Sequence, residues 1–500
     1  MGKLEDDVDV QSEESNIEPD TDALNNDAEL TDIYRKVDWR IIPPMFFCYF
    51  LQFVDKVLIN YANIMGLQQD LHMKGQDFSW MATAFFIGFA VAEFPQGWLL
   101  QKFPISKVLG LNVLCWGIVV CCSAAAQNFA AITALRTLLG CLEAIISPAL
   151  IMTTSMWYTK RQSTSRYGIW YCGLGCGQII GGLISFAAQH SPASSSLHSW
   201  RIMFLCVGAV NILAAIYVLT LFPDTVASAT FLSPSQKATI HARLAFDQAG
   251  NGPRVFNPAA LRETALDPAV WLLFLLTILI VIPSGVISTF SATLIRGFGY
   301  SPKQSALLNI PSGVVSILAT LACTLFISSR RLARADAAEL RNPPWYAQRC
   351  TAIALLLVPT IVGAGLMSFA NHSQAAALAG IYLINTVVAP LALIYAFAGS
   401  NTQGCTKKVS VSALLAVAFG IANIIGPQTF QAKDAAGGYL PAKITVLAVN
   451  AASLVVVAAL RVVYGMRNSR NARHRREGVQ SEVETKALTD LTNPIFRYIY

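Results

Sequence analysis

Twelve stretches of about 20 mainly apolar residues run along this chain, and that is the length a helix needs to cross a bilayer. They fall near 41–63, 78–100, 106–126, 129–151, 167–188 and 202–222, then 269–291, 305–327, 351–370, 375–398, 409–430 and 442–464. A polar segment from Pro223 to Asp267 separates the two sets. In lipid every backbone polar group must be satisfied internally, so such runs predict an all-α membrane protein of 12 transmembrane helices in two six-helix halves. The expected division is a disordered acidic tail (1–33), an N-terminal half (34–222), a linker (223–267), a C-terminal half (268–464) and a basic tail (465–500). Of the residues, 54% are hydrophobic and 13% charged, against about 25% charged in soluble domains. A soluble protein of this size has no way to hide so much apolar surface.

Charge placement supports the same reading. Residues 1–40 hold 13 of the 29 Asp and Glu. The first 33 residues are acidic, without aromatics or periodicity, and a segment of that kind does not bury enough surface to offset its ordering entropy. An acidic start also argues against a cleaved secretory signal, which needs a basic n-region. With both termini on one side, the loops on that side carry 16 Lys and Arg, among them Lys102, Lys107, Lys160, Arg161, Lys407 and Lys408, against six on the other. The positive-inside bias therefore predicts cytoplasmic termini. Basic residues in short clusters between apolar runs are membrane loops, so the net charge of +7 does not call for nucleic acid.

Catalysis has little to stand on. All six histidines lie in loops or at span ends, and no nucleophile or metal constellation appears. Most of the cysteines sit inside apolar stretches, where a thiol behaves as a small hydrophobe. Cys172 and Cys176 are one helical turn apart, but nothing nearby supplies the further ligands of a four-ligand site. No enzyme activity, cofactor or metal is expected, and the short tails offer no folded domain for a sensor.

The ionisable residues within the spans carry the functional argument, because a charge at a helix centre costs about 2.5–3.5 kcal/mol and needs a partner, a wet cavity or a role. The first span holds Asp55 and Lys56, which point about 100° apart, while Lys56 and Asn60 share a face. One reading turns Lys56 and Asn60 toward a cavity, with Lys56 attracting an anion; the other has Asp55 and Lys56 neutralising each other or neighbouring helices. In the fourth span Arg136, Gly140 and Glu143 fall on nearly one stripe. Arg136 is a candidate for binding a carboxylate. Asp55, Glu93 and Glu143 are candidate proton carriers, with packing the competing role for Glu93. In the fifth span Gly173, Gly177 and Gly181 make a seam for close helix packing. No strand precedes them, so they are not a dinucleotide fingerprint. Gln178 interrupts that seam as a candidate pathway residue. Asn385, Asn401, Asn423 and Gln428 are the main polar side chains of the second half, suited to lining the pathway or to bonding between helices.

Several blocks together resemble the fungal allantoate permease family, the anion:cation symporters of the major facilitator superfamily. They are YRKVDWRIIPP before the Asp55–Lys56 pair, Arg136, Gly140, Glu143 and Pro148 running on into SMWYTKR, GIWYCGLGCGQIIGG, IRGFGYSPKQSALLNIP, GCTKKVSVSALL, NIIGPQTFQAKDA and the terminal LTNPIFRYIY. The resemblance runs from Tyr34 to Tyr500. It implies the major facilitator fold and proton-driven uptake, across the plasma membrane, of small organic anions such as vitamin-like or amino-acid-like carboxylates. Lys56, Asn60, Arg136, Gln178 and Asn401 are then the expected substrate-binding residues. Three departures touch the usual gating charges. Gln101 stands where the superfamily carries an acid after Gly97, SSRRLARAD replaces the acidic second copy, and Gln162 stands where relatives often have Glu. Export of a metabolite or toxin is the alternative. Exporters of this superfamily tend to carry a proline at the Gln178 position, which favours symport modestly.

Overall fold

The computed structural model describes residues 21–190, 197–249, 257–327, 349–370, 373–435, 437–476, 489–493 and 496–498. The expected basic run at Arg330, Arg331, Arg334 and Arg341, and Arg254 in the linker, lie outside them. Among the described residues, 12 helices are long and apolar enough to span a membrane. The N-terminal half comprises α1 (Leu30–Ile64), α2 (Asp77–Lys102), α3 (Ile105–Ser123), α4 (Phe129–Trp157), α5 (Ser165–Ala188) and α6 (Ser199–Leu221). The C-terminal half comprises α7 (Pro268–Gly297), α8 (Pro302–Thr324), α9 (Arg349–Phe369), α10 (Gln374–Ser400), α11 (Thr406–Gln428) and α12 (Leu440–Ala472). An even number of spans puts both termini at one end of the bundle, the terminal end. The loops α1–α2, α7–α8 and α11–α12 lie at the other, the far end.

Helix starts and interruptions follow local chemistry. Asn128 caps α4 by accepting from the Ala131 N–H, and Asp267 caps α7 by accepting from Ala269. Ser301 and Gln304 form a reciprocal capping box ahead of α8. Within α4 the helix is interrupted between Glu143 and Ile146. Pro148 lacks an N–H, and its ring crowds the carbonyl four residues back, at Ala144. The same effect accounts for α10, which passes through a 3-10 turn at Asn385–Val387 just ahead of Pro390.

Glycines set how closely the helices approach. A Cβ on Gly140 would collide with the Phe85 carbonyl oxygen of α2, so that position of α4 admits no side chain. The predicted seam packs on α1, where a Cβ on Gly173 would stand 2.9 Å from the Phe50 nitrogen. A second stripe on the same helix faces the other half, and a Cβ on Gly175 would stand 2.5 Å from the Gly313 carbonyl oxygen of α8. The halves therefore meet along α5–α8, and also through α1–α7 and α2–α11.

Polar bonds between the halves gather toward the far end. The Asn60 amide donates to Ser291 Oγ (2.8 Å) and accepts from the Ala292 N–H (3.1 Å). Asn63 donates to Thr293 (3.0 Å), Gln428 to Thr83 (2.8 Å) and Ser79 to the Phe430 carbonyl (3.0 Å).

One expectation needs correction at the terminal end, and two segments there fold more than their sequence suggests. The disordered tail was expected to reach residue 33, but a helix begins at Thr21 and Ile33 is 1% exposed. Its apolar face docks on the bundle, which an isolated acidic peptide has no means to do. The linker carries two helices, Pro234–Ala249 and Pro258–Leu266. Its Phe231 stacks on Trp157 at 6.0 Å. The basic tail is also partly folded: the helix of α12 continues to Arg476, and the chain returns so that Asp490 and Tyr498 are each 2% exposed.

That return builds a charge cluster around Lys407, which was expected as a loop cation. Lys407 is 1% exposed and pairs with Glu263 (2.6 Å), Asp490 (2.9 Å) and Asp267 (3.1 Å), while Arg467 also pairs with Asp267. Burial alone would push the Asp267 carboxyl up, but the hydrogen bonds and charge of Arg467, together with Lys407, hold it below the ordinary aspartate range. Burial prevails at Asp490 and raises its carboxyl in spite of Lys407.

Removing one partner of a buried ion pair costs about 3–5 kcal/mol. Lys407→Ala should therefore lower the melting temperature of the purified protein clearly, and an unchanged melt would show that the cluster is not structural. At the far end, Asn60→Ala removes two bonds between the halves worth about 0.6 kcal/mol each. It should speed labelling of a cysteine placed at Thr293 by an impermeant maleimide added from that side. Unchanged labelling would show that Asn60 does not hold the closure.

Candidate functional site

The charged residues of the N-terminal half converge at mid-membrane. Asp55 of α1 and Arg136 of α4 form an ion pair at 3.2 Å, with side chains 0% and 4% exposed. One turn of helix lets only one of two adjacent residues face α4, and that one is Asp55. The Arg136 guanidinium lies 5.1 Å from the centre of the Phe204 ring of α6, and its Nε and Nη2 find no acceptor among the described residues. Glu143, seven residues along α4, is 0% exposed, and neither carboxyl oxygen finds a hydrogen-bond donor among the described residues. Asp55, Lys56 and Arg136 are the charged groups around it. Gln52 donates to the Glu143 backbone carbonyl at 3.2 Å, which ties α1 to α4 where α4 is interrupted.

Lys56 points elsewhere. It makes no ion pair or hydrogen bond among the described residues, and its ammonium sits 5.2 Å from the centre of the Phe89 ring. It lines two adjoining cavities. In the larger, Gln52, Lys56 and Phe86 of the N-terminal half face Ser288, Phe419 and Asn423 of the C-terminal half. In the smaller, Lys56 and Arg136 face Ser288 and Thr289 of α7. The volumes are about 50 and 20 Å³, room for a few water molecules, whereas ligand sites usually offer about 300–1,000 Å³. The two halves are closed down on the site in this conformation.

Lys56, Arg136, Asp55 and Glu143 are thus brought together as the sequence suggested, and four other candidates are not part of this group. Asn60 does share a face with Lys56, but one turn further along that face meets α7, and its amide is spent on Ser291 and Ala292. Gln178 donates to Asn385 Oδ1 (3.0 Å) and accepts from Ser316 (3.2 Å), so it bridges α5 to α8 and α10 rather than lining a cavity. Asn401 is 3% exposed at the C-cap of α10, at the terminal end. Glu93 is half-buried in the terminal half of α2. Gln52, Ser288 and the aromatic walls were not singled out. Gln52 was the most findable, since it lies one turn before Lys56 on the same face.

The fold agrees with what the chain is similar to. The family model for the Major Facilitator Superfamily matches residues 45–427. An uncharacterised transporter of Schizosaccharomyces pombe is 35% identical over 96% of this chain and 92% of its own length. Allantoate permease of Saccharomyces cerevisiae is 32% identical over 93% of this chain and 85% of its own length. Among solved structures, a bacterial homologue of the human lysosomal transporter Spinster, in an inward-facing and occupied conformation, superposes with a TM-score of 0.58. It is 16% identical and covers 85% of this chain and 96% of its own, a likeness of fold alone. The chain is a multi-pass membrane transporter of the major facilitator superfamily and belongs to the family that includes yeast allantoate permease.

Proposed function

We propose that this transporter is a proton-coupled symporter of a small organic anion, working by alternating access across the plasma membrane with both termini in the cytoplasm. The observation that carries the reading is the cavity pair bounded by Lys56 and Arg136. Lys56 makes no direct ion pair among the described residues, and Arg136 keeps two donors open beyond its pair with Asp55. A carboxylate placed between them would meet charge-assisted donors, the strong kind of hydrogen bond. That the relative allantoate permease is named for an anionic substrate agrees with such a site.

Glu143 is the proton carrier in this reading, with Asp55 as its switch. Anion arriving at Arg136 competes with Asp55 for the guanidinium, and a freed Asp55 carboxylate changes the electrostatic surroundings of Glu143. Substrate and proton then share one network, the condition for moving together. The membrane potential gives about 2.3 kcal/mol per 100 mV for each net positive charge entering. One proton with a monovalent anion moves no net charge, so two protons are needed to draw on the potential. The closure at the far end is one side of the alternation, and the same halves part there when the site faces outward.

Uptake of radiolabelled carboxylates into transporter-deficient yeast tests this, at about pH 5 and pH 7, with and without a protonophore. Accumulation should be faster at acid pH, collapse with protonophore and vanish in Lys56→Ala. Glu143→Gln should lose accumulation while keeping exchange of labelled for unlabelled substrate. Faster loss of preloaded compound, with no uptake by protein shown to be at the cell surface, would replace symport with export.

A further inference from the structure

The larger cavity is charged in only one sense. Lys56 is the single Lys, Arg, Asp or Glu in its lining, and the smaller cavity adds Arg136 and no acid. The two carboxylates near by are withheld from the site. Asp55 is 0% exposed and paired to Arg136, and Glu143 is 0% exposed behind the lining. The C-terminal half contributes Ile280, Val388 and Leu391 together with Ser284, Ser288 and Asn423. Aromatic rings flank this space, with Tyr171 on one side, stacked at 5.3 Å on Tyr49, and Phe419 on the other. Its neutral polar groups are Gln52, Ser284, Ser288, Asn423 and the hydroxyls of Tyr49 and Tyr171.

We infer that the site selects a monocarboxylate whose remaining body is neutral, flat and largely apolar, and that it rejects zwitterions and dicarboxylates. The inference rests on the anion-binding role of Lys56 and Arg136 proposed above, and narrows it. An α-amino acid could place its carboxylate at Lys56, but its ammonium would then lie in a closed cavity without an acid, close to a like charge. A second carboxylate would find no further cation in the lining, because Arg136 is already half committed to Asp55. Either group becomes an uncompensated buried charge, which costs about a hundredfold or more in affinity. A ring meets flat walls on two sides and loses little conformational freedom there.

The test uses full-length transporter in proteoliposomes with an imposed proton gradient and labelled 3-phenylpropanoate, benzoate and hexanoate as probes. Competitors matched in size to the first probe are phenylalanine, phenylsuccinate and 3-phenylpropanamide. The expected result is accumulation of phenylpropanoate, with phenylalanine and phenylsuccinate at least about a hundredfold weaker than unlabelled phenylpropanoate as competitors. Asn423→Asp, nearly isosteric, puts a carboxylate on the opposite wall and should strengthen competition by phenylalanine about tenfold while weakening phenylpropanoate. Ser284→Asp serves the same purpose should the first variant fail to fold, as judged by size-exclusion chromatography. Competition by phenylalanine or phenylsuccinate within about tenfold of phenylpropanoate would overturn the selectivity and leave anion symport standing. Equal competition by the neutral amide would overturn the role of the cations. Gradient-driven uptake of a labelled dicarboxylate or amino acid, with none of the three monocarboxylates accumulating, would sink the inference alone. Failure of every carboxylate class to accumulate would remove the symport reading and the inference with it.

Discussion

Asp55 and Arg136 meet inside the membrane with neither side chain more than 4% exposed, and much of the site follows from that contact. A buried ion pair adds little net stability, because desolvation consumes most of the attraction, yet breaking it strands a charge in a medium that does not solvate it. The pair therefore acts as a rotational lock on α1. With Asp55 turned to α4, the next residue is about 100° further round, and Lys56 is presented to the space between the halves. The same lock holds Arg136 so that one edge of its guanidinium is used and the other left open. Glu143 follows two turns along α4 and falls beside the same charges. One contact thus separates two adjacent ionisable residues into an anion held by Arg136 and a cation available to a ligand.

The two halves divide the remaining work unequally. The N-terminal half supplies the charges at mid-membrane, and the C-terminal half answers with apolar walls, hydroxyls and amides. Where the halves close at the far end, they do so largely with neutral groups, Asn60 on Ser291, Asn63 on Thr293 and Gln428 on Thr83, with Arg296 reaching the Ile64 carbonyl beside them. Such bonds are individually weak in a membrane, which suits a contact that must open and re-form in each cycle. Within the C-terminal half the opposite choice is made. Lys407 is surrounded by three carboxylates, two from the linker side of α7 and one from the last residues of the chain. That cluster ties the linker helix, α7, α11, α12 and the returning tail into one body, and nothing in it spans to the other half.

Much of this was legible from spacing. The twelve spans, the division into six and six and the glycine stripe of α5 are periodic features of short segments, and lipid leaves a helix no alternative to them. The stripe of Arg136, Gly140 and Glu143 was legible for the same reason, since two turns of helix return to one face. Asn60 shows where the method stops. Its face is legible in the spacing and its depth is not, and in this conformation that turn of α1 meets Ser291 and Ala292 of α7. Gln178 shows the same limit, because a polar group on a glycine-rich face reads alike whether it meets a substrate or the Asn385 and Ser316 of the other half.

The chain by itself determined the membrane architecture, the family resemblance and the set of charges from which a site can be built, because each depends on composition and local period. Only the tertiary structure decided which charge is spent and which is free. Lys407 counts as a loop cation until Glu263, Asp267 and Asp490 arrive from distant parts of the chain to bury it. Lys56 looks half-neutralised by its neighbour until Arg136 claims Asp55. Partners separated by tens to hundreds of residues leave no trace in local period, and the low polarity of the membrane interior makes the choice among them decisive.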